Sequence, residues 1–424
     1  MLKNSPQPTF RMFFFGLLCS LTLVSFACSS PDGNNNNSNT NANTNSNNNN
    51  STSQLPAPPD YCEKGKAPDA KCYAEKRDPK SAQVKLALDI ALRQIKKHPA
   101  ITVKWDWGES VMMFGMIELY RVTKDSRIRD YIKGWIDEHI KDGYKIRTSD
   151  TCPPSLAAIL LYQETKEDKY KKVLDTFMTY IFEQALRNED GGLNHLGIVD
   201  SLGVSLWLDS LFMFGTVLTR WGELTDNTKA LDEYNKQFML FTKLLQKSNG
   251  LYLHAHGWPG SMDTDIYWAR GNAWVTAATF EYLRARRGRG EMDEPVLNAI
   301  KKQVQGAIDT QDSKTGLWWT ILNRPDEIYQ ETSATALFAY GMARGYRYGF
   351  LDKSVLPVIQ KAMAGVKSKI ETNDKGEPVI KGTSGPTNVG TFEMYAKVSQ
   401  GDDISYGVGA VILSLLETSG LPEK

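Results

Sequence analysis

The strongest constraint on the fold is a regular alternation between two kinds of helical segment. Segments such as PSLAAILLY (154–162) and YGVGAVILSLLE (406–417) are apolar on nearly every side, whereas DSRIRDYIKGWIDEHIKDG (125–143) and KYKKVLDTFMTYIFEQAL (169–186) each have one charged face. A helix that is apolar all round is buried on every side, and an amphipathic helix lies in an outer layer. The alternation therefore predicts an inner and an outer layer of helices.

Short breaks rich in Gly, Asp, Asn and Pro separate these segments, as expected for helix ends and turns. They predict twelve helices, at residues 80–97, 107–122, 126–141, 153–164, 167–187, 203–221, 226–247, 270–287, 293–311, 331–347, 353–371 and 404–418. Strand-like alternation is confined to short pieces such as GLYLHAHG (250–257) and GLWWTILN (316–323), which we expect to pair as local hairpins.

Six pairs of inner and outer helices favour an all-α fold, an (α/α)6 barrel of six helical hairpins over residues 78–424. The first helix would pair with the last and close the ring. An open α-solenoid is the alternative, since it also stacks helix pairs at this spacing. A solenoid does not need six helices that are buried all round, so we expect the barrel.

The first 27 residues have the pattern of a signal peptide. Lys3 and Arg11 precede an apolar run, Met12–Ala27, which is too short for an ordinary membrane span. The segment VSFAC, which ends at Cys28, resembles a bacterial lipoprotein box, although Ser25 stands where Leu is usual. We expect export, cleavage before Cys28 and lipidation of that cysteine; an uncleaved anchor is the alternative.

Residues 28–77 are predicted to be a tether between the lipid anchor and the folded domain. The segment 29–54 is rich in Asn, Ser and Thr and has too few apolar residues to form a core. Cys62 and Cys72 bracket a short polar loop and form a candidate disulfide, as is plausible in an exported protein. The protein is therefore expected at the periplasmic or outer face of a bacterial cell envelope, anchored to the membrane by its lipid.

Composition excludes several kinds of partner. The chain has 50 Lys and Arg against 49 Asp and Glu, so it lacks the basic excess of a nucleic-acid-binding protein. No motif has the spacing of metal ligands, of a phosphate-binding loop or of a GxSxG nucleophile. We therefore expect no nucleic acid, metal ion or cofactor, and no obligate protein partner.

Asp209 is the most unusual candidate for a catalytic residue. It lies in the apolar run SLWLDSLFMFG (205–215), in what the pattern predicts to be the middle of a helix, with no cation one turn away. Burial of an unpaired carboxylate is costly and raises its pKa, which would yield an acid able to donate a proton near neutral pH. A structural ion pair with a distant residue is the alternative.

Other polar and aromatic residues precede or begin the inner helices and should share one mouth of the barrel. They are Trp107, Asp150, His195, Trp207, His254, Trp268, Arg270 and Trp274. Arg270 suits a substrate carboxylate through a bidentate contact, but it also fits a structural arginine stacked on tryptophan. Asp150 precedes Pro153-Pro154 at a helix start, so it is also a candidate helix cap. Either histidine could instead be structural.

Several motifs occur in the order found in one enzyme family. They are WDWGESVMMFGMIELYRVTKDSRIRDYI (105–132), SDTCPPSLAAILLYQETKEDKY (149–170), LWLDSLFMFG (206–215), HAHGW (254–258) with YWARGNAW (267–274), YQETSATALFAYGMARGYRYGFLD (329–352) and YGVGAVILSLLE (406–417). Together they resemble the unsaturated glucuronyl and rhamnogalacturonyl hydrolases of glycoside hydrolase families 88 and 105, over about residues 80–420.

The resemblance implies hydrolysis of oligosaccharides left by polysaccharide lyases, which end in a uronic sugar with a C4=C5 double bond. In that reaction an Asp protonates C4, water adds at C5, and the hemiketal collapses and releases the remaining sugar. The proton donor corresponds to Asp209 and the second essential Asp to Asp150. The other residues named above correspond to substrate contacts. Ser210, Ala273 and Pro153-Pro154 depart from the family pattern, which bears on substrate preference.

Two other functions fit the same sequence. One is a conventional glycosidase or a polysaccharide lyase on the same barrel. The other is a surface lipoprotein that binds glycan without turnover. Change in the absorbance of the unsaturated uronate and the effect of Asp209→Asn would separate them.

Overall fold

Thirteen α-helices occur between residues 77 and 422, the part of the chain that the computed structural model describes. In chain order they are α1 (Ala82–Lys97), α2 (Trp107–Thr123), α3 (Ser126–Asp142), α4 (Ser155–Thr165), α5 (Asp168–Thr179), α6 (Asp209–Thr225), α7 (Thr228–Leu245), α8 (Ala269–Gly288), α9 (Glu294–Ile308), α10 (Thr332–Arg347), α11 (Leu356–Ser368), α12 (Phe392–Ala396) and α13 (Ser405–Thr418). Short 3-10 turns precede α2, α4 and α11, and a π turn follows α5.

Six of these helices form a closed inner ring. Contacts run in sequence from α2 through α4, α6, α8 and α10 to α13, and α13 packs against α2. The outer helices α3, α5, α7, α9 and α11 pack on the inner helices that precede them, and α1 packs on α13. The predicted barrel of six hairpins, closed by pairing the first helix with the last, is confirmed.

Burial follows the two kinds of helix seen in the sequence. On α3 the buried residues recur at helical spacing, from Ile128 through Ile132 to Trp135 and Ile136, and form one stripe. On α4 every residue from Ser155 to Leu161 is buried. The apolar helices therefore form the inner wall, and the amphipathic ones cover it.

A similar turn joins three of the inner helices to their outer partners. Lys124, Lys166 and Asp226 each adopt the left-handed conformation at the end of α2, α4 and α6. The next residue then precedes the outer helix, and at Asp125 and Asn227 its side chain accepts a hydrogen bond from the backbone of the first turn. These turns keep the hairpins short and antiparallel.

The ring is closed by glycines. Gly115 on α2 faces Gly409 on α13, and a Cβ on Gly115 would lie 2.9 Å from the Gly409 carbonyl oxygen. A Cβ on Gly409 would lie 2.7 Å from the Met112 nitrogen and would also overlap the carbonyl of Val111. The two helix backbones can approach this closely only without side chains.

Buried ion pairs gather at the C-terminal ends of the inner helices. Arg220 donates to Glu118 at 3.1 Å, and Arg344 lies 3.2 Å from Glu417 and also contacts Glu281. These five side chains are at most 8% exposed. This end of the ring is therefore filled by charge pairs, which leaves the N-terminal ends of the same helices for a substrate site.

Four two-stranded antiparallel sheets lie in the loops of the described chain. β1 (Leu206–Trp207) pairs with β2 (Ala255–His256), β3 (Trp318–Trp319) with β4 (Gln330–Glu331), β5 (Ile370–Thr372) with β6 (Pro378–Ile380), and β7 (Thr383–Ser384) with β8 (Gln400–Gly401). The prediction that GLYLHAHG pairs locally is confirmed at Tyr252, which forms an antiparallel bridge with Gln246; its strand β2 pairs instead with β1, in a distant part of the chain. GLWWTILN supplies β3, which pairs with the nearby β4.

The predicted signal peptide, Cys28, the tether and the Cys62–Cys72 pair lie outside residues 77–422 and stay predictions. None of the helices within that range combines the length and the apolar character that a membrane-spanning helix needs.

Candidate active site

Asp209 is the first residue of α6, not a mid-helix residue as the sequence predicted. The two residues before Leu208 form β1 and pair with β2. This pairing prevents the helix from starting earlier in the chain. The Leu208 amide donates to the His254 carbonyl at 3.0 Å, which sets the His254 side chain beside the start of α6. As a result, His254 Nε2 lies 3.3 Å from Asp209 Oδ2.

The pKa of Asp209 is lowered in this ligand-free structure, contrary to the prediction. Burial acts to raise this pKa, but the hydrogen bond from His254 and the charges of His254, His195 and Arg270 outweigh it. The sequence offered no cation one turn away, and the partner comes instead from a separate loop 45 residues further along the chain. The surroundings of Asp209 therefore favour its ionised form.

The surroundings of Asp150 have the opposite effect and favour its protonated form. Burial raises the pKa of Asp150 well above its usual range, and the charges of Asp209 and Asp106 add to the effect. Its carboxyl is enclosed by the mouth of the ring, although water reaches 35% of the side chain. Two carboxylates that influence each other in this way form one acid–base unit.

Asp150 is not a helix cap. It lies in the 3-10 turn Ser149–Thr151 before α4, and the capping contacts there are made reciprocally by Thr148 and Thr151. Its carboxylate Oδ1 lies 3.7 Å from His195 Nε2. The structural interpretation as a helix cap is therefore wrong, and the catalytic role of Asp150 stays a prediction.

His195 is held as a neutral, stacked ring. It lies parallel to Trp207, with ring centroids 4.4 Å apart, and its Nδ1 lies 3.0 Å from the Ser210 hydroxyl. Ser149 donates to the same hydroxyl at 3.0 Å. Burial lowers the pKa of His195 to about 4, against the opposing charge of Asp209. The departure from the family pattern at Ser210 thus supplies a hydrogen-bond partner to a site residue.

Arg270 has a structural position. Its guanidinium lies between the rings of Trp268 and Tyr406, 4.8 and 4.9 Å from their centroids. It donates to the carbonyls of Ser384 and Gly385, at 3.2 and 2.9 Å, and its side chain is only 1% exposed. The expected bidentate contact with a substrate carboxylate therefore does not fit this arrangement, in which Arg270 fixes the loop that follows β7.

The tryptophans divide between the mouth and the core. Trp107 begins α2, is only partly buried and stacks on Tyr406 at 4.4 Å. Trp268 packs on His254, with centroids 4.3 Å apart. Trp274 is fully buried against Phe212, so the predicted contact of Trp274 with substrate does not fit the structure either.

Tyr395, which sequence reasoning missed, belongs to the site. Its hydroxyl lies 2.6 Å from His254 Nδ1, although the two residues are 141 positions apart. The tyrosine lies on the short helix α12, in a loop without helical periodicity in its sequence. No local signal distinguishes it from a structural tyrosine.

Cys152 also lies in this region of the chain. Cys152 is a fully buried thiol whose Sγ donates to the Thr148 carbonyl at 3.4 Å, and burial raises its pKa well above the usual range. Among residues 77–422, no cluster of three or more His, Cys, Asp or Glu could hold a metal ion. The side chains that gather at this mouth can accept, hold and donate protons.

Comparison with known proteins assigns the helical part of the chain to a family. The sequence profile of Glycosyl Hydrolase Family 88 matches residues 88–421, which include every helix from α2 to α13. The chain belongs to glycosyl hydrolase family 88. The resemblance drawn from the motifs is thereby confirmed, and this family 88 chain is a glycoside hydrolase.

Relatives of this family 88 protein include enzymes with named activities. It is 25% identical over 298 residues to the unsaturated rhamnogalacturonyl hydrolase YesR of Bacillus subtilis. The aligned region covers 69% of this chain and 84% of YesR. It is 24% identical over 315 residues to an unsaturated 3S-rhamnoglycuronyl hydrolase of Formosa agariphila, over 70% of this chain and 82% of that protein.

A solved structure shares the barrel. It is that of a possible member of the GH105 family from Klebsiella pneumoniae, with a TM-score of 0.71 and 25% sequence identity, over 81% of this chain and 94% of that one.

Proposed function

We propose that this chain hydrolyses oligosaccharides that end in a uronic sugar with a C4=C5 double bond. The observation that carries the proposal is the coupled pair Asp150 and Asp209 at one mouth of the ring, with His254 bound to Asp209. An acid–base unit of this kind suits proton transfer to carbon. The named activities of YesR and of the Formosa agariphila relative support the same substrate class.

In the proposed reaction Asp209 delivers a proton to C4 of the enol ether. The positive charge that develops is shared by C5 and the ring oxygen, and water attacks C5 while Asp209 takes back a proton. The hemiketal opens by breaking the bond between C5 and the ring oxygen, and the hemiacetal left at C1 releases the remaining sugar as an alcohol. One water is consumed overall, and Asp209 returns to its starting state.

Substrate binding supplies the reason for Asp209 to become protonated. Burial and the charge of Asp209 already raise the pKa of Asp150. A substrate carboxylate adds a negative charge to a mouth that already contains two aspartates. Nearby negative charge raises the pKa of a carboxyl, so binding favours a proton on Asp209 as well. Asp209 therefore becomes protonated when the substrate, whose C4 accepts the proton, is bound.

A panel of lyase-generated unsaturated oligosaccharides tests the function. The ultraviolet absorbance of the conjugated uronate should fall with wild-type protein, whereas a conventional glycosidase leaves it unchanged and a lyase raises it. Asp209→Asn and Asp150→Asn should each lower turnover by roughly a hundredfold or more. Asp130→Asn, at an exposed position of α3, is the matched control and should retain full activity. A folded Asp209→Asn enzyme with normal turnover would refute the role of Asp209.

We also propose that the chain is exported and lipidated at Cys28, as the sequence predicts. Incorporation of a radiolabelled fatty acid into the wild type, and its loss in Cys28→Ala, tests this. Labelling that persists in the variant, or that never occurs, would exclude the anchor.

A further inference from the structure

The side chain of Tyr395 is fixed behind His254. It is 2% exposed, and its ring lies against Trp268 in a small apolar cluster that also contains Ile266 and Ile328. Its hydroxyl oxygen lies 2.6 Å from His254 Nδ1, on the opposite side of the imidazole from Asp209. Tyr395, His254 and Asp209 therefore form a continuous chain of hydrogen bonds that ends at the acid–base unit.

The direction of these hydrogen bonds follows from their partners. The backbone of Gly390 donates to the Tyr395 hydroxyl oxygen, and burial raises the pKa of Tyr395 far above neutrality. The hydroxyl therefore keeps its proton and donates a hydrogen bond to Nδ1 of His254. With the hydroxyl donating to Nδ1, the imidazole proton lies on Nε2, which faces the Asp209 carboxylate.

No other side chain that contacts the His254 imidazole in the described chain competes for a hydrogen bond to Nδ1. The side chains that surround the imidazole are Asp209 and Tyr395 at its two nitrogens and the rings of Trp207 and Trp268 at its sides; His195 contacts the same Trp207 ring. The indole rings offer no acceptor to Nδ1. Within the described chain, the Asp209 carboxylate at Nε2 and the Tyr395 hydroxyl at Nδ1 distinguish the two imidazole nitrogens, and only the hydroxyl keeps this preference when Asp209 is protonated.

We propose that Tyr395 is a positioning residue that fixes the His254 tautomer, so that Nε2–H always points at Asp209. The inference rests on the proposed function. An N–H at this position stabilises the carboxylate that Asp209 becomes when C4 takes its proton. The opposite tautomer would place a lone pair there, hold the Asp209 carboxyl in its protonated form and make it a weaker acid.

The backbone around Tyr395 is anchored independently of its hydroxyl. The Phe392 amide at the start of α12 donates to Asp263 Oδ2 at 2.7 Å, and the Asp263 amide donates to the Gly390 carbonyl at 3.3 Å. These contacts tie the two loops of the mouth together. Replacement of Tyr395 by Phe should therefore keep the loop and the ring in place and remove only the hydroxyl.

Tyr395→Phe tests the proposal, with Tyr131→Phe as its matched control. Tyr131→Phe also removes a hydroxyl hydrogen bond, a partly buried one to the His98 carbonyl at 2.7 Å, but Tyr131 lies on the outer helix α3. For Tyr395→Phe we expect kcat to fall roughly tenfold or more, as for other wrongly held catalytic histidines, with KM changed by less than about threefold. The alkaline limb of kcat should move to higher pH, because Asp209 becomes a weaker acid. Tyr131→Phe should change neither.

A second readout does not depend on activity. Nitrogen-15 NMR of Asp209→Asn, whose carboxamide can face Nε2 with either its oxygen or its NH2 group, should show the proton on Nε2 and a mixture of tautomers once Tyr395→Phe is added; His254 signals are assigned by comparison with His254→Asn. An unchanged tautomer, or a folded variant with unchanged kcat and pH profile, would overturn the proposal. If wild-type protein acts on no unsaturated oligosaccharide, the proposed function fails, but the NMR result still decides the role of Tyr395.

Discussion

Ring closure can be tested by adding one methyl group at Gly409. A Cβ there would lie 2.7 Å from the Met112 nitrogen and would overlap the Val111 carbonyl, and all of these contacts are with backbone atoms. Backbone atoms cannot move aside as the end of a flexible side chain can, so α13 would have to shift away from α2. Overpacking of this kind costs about 1–3 kcal/mol, and the gain in helix propensity from Gly to Ala offsets up to about 1 kcal/mol of it.

Gly134 provides a control with the opposite expected sign. It also lies inside a helix, α3, but the nearest atom to an added Cβ would be Ala100 Cβ at 3.5 Å, an ordinary contact. Gly134→Ala should therefore stabilise the protein by about 0.5–1 kcal/mol through helix propensity alone. Gly409→Ala should destabilise it by about 1–2 kcal/mol after that offset.

Urea unfolding of the two variants and the wild type gives both changes in the free energy of unfolding. Circular dichroism should show that helix content is retained in each. If Gly409→Ala proved as stable as Gly134→Ala, the close approach of α2 and α13 would not be what closes the ring.

Two further predictions concern buried polar groups. Ser210→Ala removes the hydroxyl between Ser149 and His195 and should lower the free energy of unfolding by about 1–2 kcal/mol in urea; an unchanged value would contradict its role. Burial acts to raise the pKa of Glu118, but the charges of Arg220, Arg344 and Arg77 lower it to about 2. The stability due to this shift is complete above the ordinary pKa of 4.5 and is lost as the pH falls toward 2. Glu118→Gln should be less stable at pH 7 but should lose less on acidification; an equal loss would count against the pair.

The fold was predictable because the barrel repeats one local pattern. An apolar segment followed by an amphipathic one, such as 154–162 and 169–186, indicates an inner and an outer helix without knowledge of distant contacts. Helix starts were less predictable. The run before Asp209 is as apolar as the helix after it, and only the pairing of β1 with a distant strand separates them.

The site was predictable in its residues but not in their electrostatics. Asp150, Asp209 and the two histidines lie at the mouth where the sequence placed them, yet the proton distribution depends on distances between separate loops. Arg270 looked free to bind a substrate because its acceptors are backbone carbonyls more than a hundred residues away. Those carbonyls leave no signal in the sequence.

The most direct test of the central claim is the position of isotopes in the product. Hydrolysis of an unsaturated uronyl disaccharide in deuterated, oxygen-18-labelled water is followed by NMR and mass spectrometry of the released uronic product. Proton delivery by Asp209 predicts deuterium at C4 and oxygen-18 at C5, with the double bond consumed. Oxygen-18 at C1 with the double bond intact and no deuterium at C4 would contradict it, because the enzyme would then attack the glycosidic carbon directly.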